Sequence, residues 1–313
     1  MESDFFSGLG CSEFSTMQIM LKYKHIGITV KSGLTNKCEA VERVLKILEK
    51  LDAKVCIDAR RIKDMECTKG LKEMDGIKNI DLLLVIGGDG TILRSVREMT
   101  DFSIPVLSLN WGTVGFLAEI QIGEVEELLP SLLQGNGVLE DRGLLHVEAE
   151  RNGENVFSGH ALNEAVIAQG TIARLVSLQT HVNGEELTSF HADGLIVSTP
   201  TGSTAYSLAA GGPVVHPSIP AMILTPINPY SFSQKPIVIP GDATIDVEVK
   251  TKPNKFKDTE VVLTIDGQVY IPLQQSDHIR IRMHTKKIRF LRRAQDTFFR
   301  TIRHKLKWGE RVD

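Results

Sequence analysis

Short apolar runs alternate with helical periods along the first 137 residues of the chain. Residues 25–30 form a strand-like apolar run, and apolar positions recur at helical spacing over 41–51. Residues 80–86 are almost wholly apolar and stop at Gly87, which is typical of a parallel strand buried on both faces. The alternation continues with strand candidates at 55–59 and 105–109 and helix candidates at 91–99 and 123–133, the last with a break at Pro130. The pattern predicts an α/β domain with a parallel sheet and helices.

The pattern changes after Gly137, where β-branched and alternating segments separated by Pro and Gly become dominant. The strand candidates here are 145–150, 162–168, 175–182, 195–199, 237–239, 245–249, 261–265, 278–283 and 287–291. Helical spacing returns only at 297–306. The sequence therefore predicts a loose extension at 1–20, the α/β domain at 21–137, a β-rich, sandwich-like domain at 138–292 and a C-terminal helix at 293–313 that packs back on the first domain.

Composition narrows the class of protein. The 313 residues are 42% hydrophobic and 24% charged, as in a globular protein with one large or two medium cores. No apolar run approaches the ~20 residues that cross a bilayer, and no signal-peptide pattern opens the chain, so a cytoplasmic location is expected. The four cysteines are scattered without metal-ligand spacing, and the net charge of −3 argues against general nucleic-acid binding.

A glycine-rich loop, Gly-Gly-Asp-Gly-Thr at 87–91, joins the buried strand to the following helix. Ligands of open α/β sheets bind at the carboxyl ends of the strands, where this loop lies, and the glycines let backbone N–H groups face a phosphate. A carboxylate there would repel phosphate unless it holds a metal or takes a proton from an attacking hydroxyl, so Asp89 is the predicted catalytic residue. The predicted phosphate loop comprises Gly87, Gly88 and Thr91. The alternative is a structural turn in which Asp89 caps the helix.

A second polar segment, 193–207, combines a strand with a loop rich in hydroxyls and glycines. Its neutral donors and acceptors and its tyrosine suit an adenine or nicotinamide ring, although a Ser/Thr-rich helix cap is an alternative. Asn163 and Glu164 lie in an otherwise apolar strand, where an unpaired amide and carboxylate are costly. A nucleoside could satisfy both side chains. Alternatively, Glu164 faces solvent on an edge strand.

These three segments resemble the NAD kinase family, whose members carry Gly-Gly-Asp-Gly-Thr, then Asn-Glu, then Asp-Gly-x-x-x-Ser-Thr-Pro-Thr-Gly-Ser-Thr-Ala-Tyr in this order. The resemblance extends over most of the chain from about Lys24 and includes 110–117, 216–218 and 224–229. The first motif is also found in 6-phosphofructokinases and diacylglycerol kinases, whereas the long segment is highly specific. The resemblance implies an α/β N-terminal domain and a β-sandwich-like C-terminal domain.

The resemblance also implies a set of site residues by position. Asp89 would accept the proton, with Gly90 and Arg94 near the pyrophosphate or the 2′ site. Asn163 and Glu164 would grip nucleoside parts. The other implied NAD contacts are Arg174, His191, Asp193, Thr204, Ala205, Tyr206, Ser207, Leu208, Ala209 and Gln268. Many family members have arginine where this chain has His191 and serine where it has Ala209.

The implied reaction is phosphoryl transfer to the adenosine-ribose 2′-hydroxyl of NAD, giving NADP. Asp89 would be the general base, and Mg²⁺ or another divalent metal would neutralise developing charge. The donor is ATP or inorganic polyphosphate, since no separate donor motif is visible. The resemblance further implies a homodimer or homotetramer with sites between domains and subunits, and neither a membrane nor nucleic acid is an expected partner.

Three alternatives stay open at the level of sequence. The chain could be a kinase for another hydroxyl, such as a sugar phosphate or a lipid, or a non-catalytic protein that senses NAD or NADP. The long second segment argues against the first alternative, and Asp89 argues against the second. The basic C-terminal segment could bind RNA or polyphosphate, although such charges are more often a solvated helix face. Arg300, Arg303 and Lys307 share helical spacing there.

Overall fold

A computed structural model describes residues 20–33, 37–62, 65–74, 76–111, 115–170, 175–251, 261–294 and 298–309. Residues 1–19 of the predicted extension lie outside this range, and so does Arg174, one of the predicted site residues.

The N-terminal half alternates strands and helices. Its strands are β1 (His25–Val30), β2 (Lys54–Ile57), β3 (Lys72–Glu73), β4 (Leu82–Ile86), β5 (Val106–Asn110), β6 (Ile120–Gln121) and β7 (Gly137–Arg142). Its helices are α1 (Lys37–Lys50), α2 (Ala59–Ile62), α3 (Asp89–Glu98) and α4 (Val125–Leu133). Strands β1 to β6 pair in parallel with their neighbours.

Strand β4 lies in the middle of this sheet and is buried on both faces, as its apolar run predicts. Its alternate residues enter two separate hydrophobic clusters: Leu84 packs in the same cluster as Val44 of α1, and Val85 in the same cluster as Ile92 of α3. Helices therefore cover both sides of the sheet and fix the position at which α3 leaves β4.

Helix α4 differs from its prediction, because Pro130 lies within the helix and does not break it. Leu129 and Leu133, on either side of the proline, are fully buried against the first sheet. The packing of this apolar face outweighs the backbone hydrogen bond that a proline cannot donate.

The following part of the chain is almost entirely β-structure. Its strands are β8 (Leu145–Arg151), β9 (Glu154–Ala161), β10 (Glu164–Gln169), β11 (Val176–Val182), β12 (Glu185–Ala192), β13 (Gly194–Ser198), β14 (Ala221–Ile227), β15 (Ile237–Pro240), β16 (Thr244–Val249), β17 (Val261–Ile265), β18 (Val269–Leu273) and β19 (His278–Met283). A short helix, α5 (Tyr206–Ala209), follows a 3₁₀ turn at Gly202–Thr204.

These strands form two antiparallel six-stranded sheets, in the orders β15-β14-β13-β10-β17-β18 and β12-β11-β16-β19-β8-β9. Ile167 and Leu195 of one sheet share a hydrophobic cluster with Ile245 and Ile281 of the other. The sheets thus pack face to face as a sandwich. The predicted fold class is confirmed: a mostly parallel α/β domain is followed by a domain of antiparallel sheets.

The chain then returns to the first sheet. Strand β20 (Ile288–Arg293) pairs in parallel with β5 and antiparallel with β7. Both β7 and β20 therefore extend the N-terminal sheet, although the sequence placed them in or at the edge of the β-rich domain. Helix α6 (Phe298–Leu306) follows β20. None of the helices described is long and apolar enough to cross a membrane.

Candidate active site

The predicted catalytic residue opens a helix at the carboxyl edge of the parallel sheet. Asp89 is the first residue of α3, directly after β4 and the Gly87-Gly88 turn. Its Oδ2 accepts a hydrogen bond from the N–H of Phe116 at 2.8 Å and its Oδ1 one from the N–H of Leu117 at 3.2 Å. A Cβ at Gly115 would overlap this carboxylate, so the close approach needs glycine there. The 115–117 segment therefore holds the carboxylate in one orientation.

A cleft of about 690 Å³ opens beside Asp89. This volume is within the range of sites for small ligands and cofactors. Segments that are distant in sequence line it: residues 115–121, parts of β7 and β20, Asn163, the Thr201–Ala205 loop and one face of α6. The cleft therefore joins the first sheet to the sandwich.

The predicted pair Asn163 and Glu164 occupies one wall of this region. Asn163 lines the cleft, whereas Glu164 is 6% exposed and is not among the residues that line it. Oε2 of Glu164 is buried and has no hydrogen-bond partner among the described residues. Burial raises the pKa of Glu164 to about 8, and the nearby Asp266 adds to the shift. Glu164 is therefore mostly protonated at neutral pH. Because it is buried on β10, which lies between β13 and β17, the alternative of a solvent-facing residue on an edge strand is wrong.

Asp266 is a buried residue that the sequence did not single out. Its carboxylate accepts three backbone N–H bonds, from Leu162 at 3.0 Å, Asn163 at 2.8 Å and Glu164 at 3.1 Å. Burial raises the pKa of Asp266, and the three N–H donors oppose that rise. Because its neighbour Glu164 lacks such donors, we assign the negative charge of the pair to Asp266. Its position in an Asp-Gly turn with positive φ, 50° at Asp266, was the available sequence signal.

The hydroxyl-rich loop has both internal and cleft-facing groups. Thr199 Oγ1 donates to Leu162 O at 2.6 Å, and buried Ser203 and Ser207 bond within their own region. Thr204 and Ala205 line the cleft. The next predicted contacts do not line it: Tyr206 and Ala209 are exposed, Leu208 is half-buried and Ser207 is buried. Several hydroxyls thus support the loop, but neither Thr201 nor Ala205, the residues that precede its two helical turns, makes a side-chain cap hydrogen bond, so the helix-cap alternative is not what the structure shows.

Other predicted site residues lie outside the cleft. His191 is exposed at the end of β12, and the carboxylate of Asp193 accepts a bond from Asn228 Nδ2 at 2.9 Å. Gln268 donates to Gly90 O at 2.7 Å and accepts from Arg97 at 2.6 Å, so it links the sandwich to the first turn of α3. Five other predicted site residues in or next to the first turn of α3 also do not line the cleft: Gly87, Gly88, Gly90, Thr91 and Arg94.

The floor of the cleft carries a buried ionic network that sequence reasoning missed. Arg292 donates to Glu119 at 2.8 Å, to Glu140 at 3.0 Å and to the carbonyl of Leu117 at 3.0 Å. Arg142 donates to the same Glu140 at 2.9 Å. This network ties β20 and β7 to the segment that holds Asp89. Its members are separated by up to about 170 residues, so no local pattern points to it.

Among the described carboxylates that line the cleft, Glu119, Glu124 and Glu140 pair with arginines, whereas Asp89 forms no ion pair. In the described ranges, no group of three or more His, Cys, Asp or Glu side chains is arranged to hold a metal ion. Mg²⁺ commonly binds proteins through one or two carboxylates and takes its other ligands from phosphates and water. The residues present therefore fit a metal shared with a phosphorylated ligand.

Two family models match the chain: the ATP-NAD kinase N-terminal domain over residues 21–137 and the ATP-NAD kinase C-terminal domain over residues 162–293. The NAD kinase of Geobacter sulfurreducens is 42% identical over 231 residues, 74% of this chain and 80% of the relative. The NAD kinase of Desulforamulus reducens is 38% identical over 290 residues, 92% of this chain and 99% of the relative.

Solved structures agree with this similarity. Yeast NADH kinase complexed with NADH aligns with a TM-score of 0.81 at 27% identity and covers 93% of this chain and 89% of its own. An NAD kinase from Archaeoglobus fulgidus in complex with ATP aligns with a TM-score of 0.70 at 25% identity and covers 90% of this chain and 98% of its own.

Proposed function

This chain belongs to the NAD kinase family, and on that premise we propose that it transfers a phosphoryl group from ATP to the adenosine-ribose 2′-hydroxyl of NAD, giving NADP. The observation that carries the proposal is the Asp89 carboxylate, held on the cleft wall at the start of α3. The ATP bound to the structural relative from Archaeoglobus fulgidus supports a nucleoside triphosphate as donor.

We assign Asp89 the role of general base. Each of its carboxylate oxygens accepts one backbone N–H, and a carboxylate has about four lone-pair sites, so acceptor sites remain for the 2′-hydroxyl. The fixed orientation lets the carboxylate take the proton as the 2′ oxygen attacks phosphorus. The N-terminus of α3 adds N–H groups and a partial positive charge at the same place, which favours the transferring phosphoryl group.

Asn163, Thr204 and Ala205 are the predicted nucleoside contacts that share the cleft with Asp89, and we propose that they bind the adenosine half of NAD. The Asn163 amide has both donor and acceptor groups for an adenine edge. Asp266 holds the backbone at Asn163 through its N–H bonds, so it would position this contact without touching the ligand.

We propose that Mg²⁺ or another divalent metal assists the reaction. Asp89 would contribute a ligand, and donor phosphates and water would supply the others. The metal would supply charge neutralisation at the phosphates.

We also propose that the protein forms a homodimer or homotetramer. Tyr230 and Phe232 are 80% and 93% exposed. The N–H of Tyr230 donates to His191 O at 2.8 Å, so the backbone at Tyr230 lies beside a predicted NAD contact that does not line the chain's own cleft. Exposed aromatic groups of this kind mark interaction surfaces, and a subunit interface here would bring His191 and Asp193 toward a neighbouring site. Size-exclusion chromatography with light scattering tests the assembly.

The experiment that tests the function is NADP formation from NAD with ATP and Mg²⁺, followed by a coupled NADP-specific dehydrogenase. Wild type is compared with Asp89→Asn and with Asp242→Asn, a change at an exposed carboxylate outside the cleft. We expect Asp89→Asn to lose on the order of 10²- to 10⁴-fold in kcat with NAD binding largely kept, and Asp242→Asn to stay active.

Near-full activity of Asp89→Asn would show that this carboxylate is not the base. Binding of NAD without turnover, by the wild type and with both ATP and polyphosphate, would instead identify a sensor. The cytoplasmic location stays a prediction from the sequence.

A further inference from the structure

Helix α6 turns one cationic face toward the cleft. Arg300, His304 and Lys305 line it from this helix, and the spacing of four residues between the first two places them on the same face. Arg303 and Lys307, which share the basic segment, do not line the cleft. The tertiary structure thus divides the basic residues of this segment into a cleft-facing set, which lines the cleft, and a solvent-facing set, which does not.

Two carboxylates that line the cleft are already paired with arginines. Glu119 pairs with Arg292 at 2.8 Å, and Glu140 pairs with Arg142 at 2.9 Å. Among the residues that the structure describes, Lys305 has no carboxylate within ion-pair distance. Lys305 therefore brings to the cleft a positive charge that is not paired with a described carboxylate, and such a charge attracts an anionic ligand.

Arg142, at the end of β7, is a further positively charged residue that lines the cleft. Its side chain is only 8% exposed, and its Nη1 donates to Thr201 Oγ1 at 3.3 Å. Its Nε is buried without a hydrogen-bond partner in the described part of the chain. A buried guanidinium N–H without an acceptor is costly, and a phosphate oxygen in the cleft would satisfy it.

On the basis of the proposed function, we propose that Arg300, His304 and Lys305 of α6, together with Arg142, bind the linear phosphate chain of the phosphoryl donor. The ligand chemistry is a chain of phosphates, supplied either by a nucleoside triphosphate or by inorganic polyphosphate. In the transfer step the 2′ oxygen forms a bond to the terminal phosphorus while the bridging P–O bond breaks. The hydroxyl proton passes to Asp89, and the shortened phosphate chain leaves against α6.

The test compares two double variants that remove the same number of positive charges from one basic segment. Arg300→Gln/Lys305→Gln changes the cleft-facing set, and Arg303→Gln/Lys307→Gln changes the solvent-facing set. KM is measured separately for ATP, for inorganic polyphosphate and for NAD. We expect the cleft-facing pair to raise KM for both donors by about 10- to 100-fold, with KM for NAD changed less than about threefold. The solvent-facing pair should match wild type.

Calorimetric titration with inorganic tripolyphosphate measures the same site without turnover. We expect wild type and the solvent-facing pair to bind it alike, and the cleft-facing pair to bind it about tenfold more weakly or worse. This readout separates the two proposals. If no NADP forms with any donor but tripolyphosphate binding depends on Arg300 and Lys305, the proposed function fails and the anion site stands.

Three outcomes would overturn the site. Equal effects of the two double variants on KM would show that the α6 charges act through long-range electrostatics and not through direct contact with the donor. A rise in KM for NAD alone would assign the cationic face to the pyrophosphate of NAD. A rise in KM for ATP, with KM for polyphosphate unchanged, would show that α6 contacts the nucleoside and not the phosphate chain.

Discussion

Replacing Arg292 with methionine should destabilise the fold far more than a surface change of the same kind. The side chain is 11% exposed and makes three hydrogen bonds: to Glu119 at 2.8 Å, to Glu140 at 3.0 Å and to Leu117 O at 3.0 Å. Breaking a buried pair by removing one partner typically costs about 3–5 kcal/mol, because the other charge stays buried. Here Glu119 keeps the N–H of Arg293 at 2.7 Å, so we expect the free energy of unfolding to fall by ~2–4 kcal/mol.

Urea unfolding followed by circular dichroism measures this loss, with the slope against urea expected to stay constant. The matched control is Arg282→Met, whose pair with Glu148 is 3.5 Å long and has an arginine that is 46% exposed. An exposed pair contributes only about 0–1 kcal/mol. If Arg292→Met lowered the free energy of unfolding no more than Arg282→Met, burial would not control how much the ionic network stabilises the fold. The assignment of this network as the support of the cleft floor would then be wrong.

Two further predictions concern Asp89 and Glu164. Gly115→Ala should lose most of its activity in the coupled assay yet still fold, because the added Cβ overlaps the Asp89 carboxylate. The control Gly123→Ala meets no atom within 4 Å and should stay active. An active Gly115→Ala would contradict the close approach of Gly115 to Asp89. The pKa of Glu164 is raised from 4.5 to about 8, so between these pH values the folded state keeps a proton that the unfolded state loses. The free energy of unfolding should therefore fall as pH rises through this range, by at most about 1.4 kcal/mol per pH unit. Urea unfolding at pH 6 and pH 8 should show a smaller fall in Glu164→Gln, and an unchanged fall would assign it to another group.

The sequence alone predicted the fold class because the signals for it are local. A strand buried on both faces must be apolar throughout, as β4 is, and the alternation of the sandwich strands follows from one buried face. Strands with many exposed residues gave little signal, and β9 and β12 were not among the candidates. Pro130 misled because the helix propensity of one residue is outweighed by the burial of its neighbours, which only packing defines.

The sequence by itself also determined the family and the candidate base, since the Gly-Gly-Asp-Gly-Thr loop and the 193–207 segment are contiguous and their residue types limit their chemistry. Only the tertiary structure decided which side chains share the cleft. Asp266 reaches the backbone of Asn163 across about 100 residues, and Arg292 reaches Glu119 across about 170. The division of the basic segment into residues that line the cleft and residues that do not depends on how this segment packs against the rest of the chain. These relations depend on strand order and packing, which carry residues far apart in the chain to one place and leave no periodic trace in the sequence.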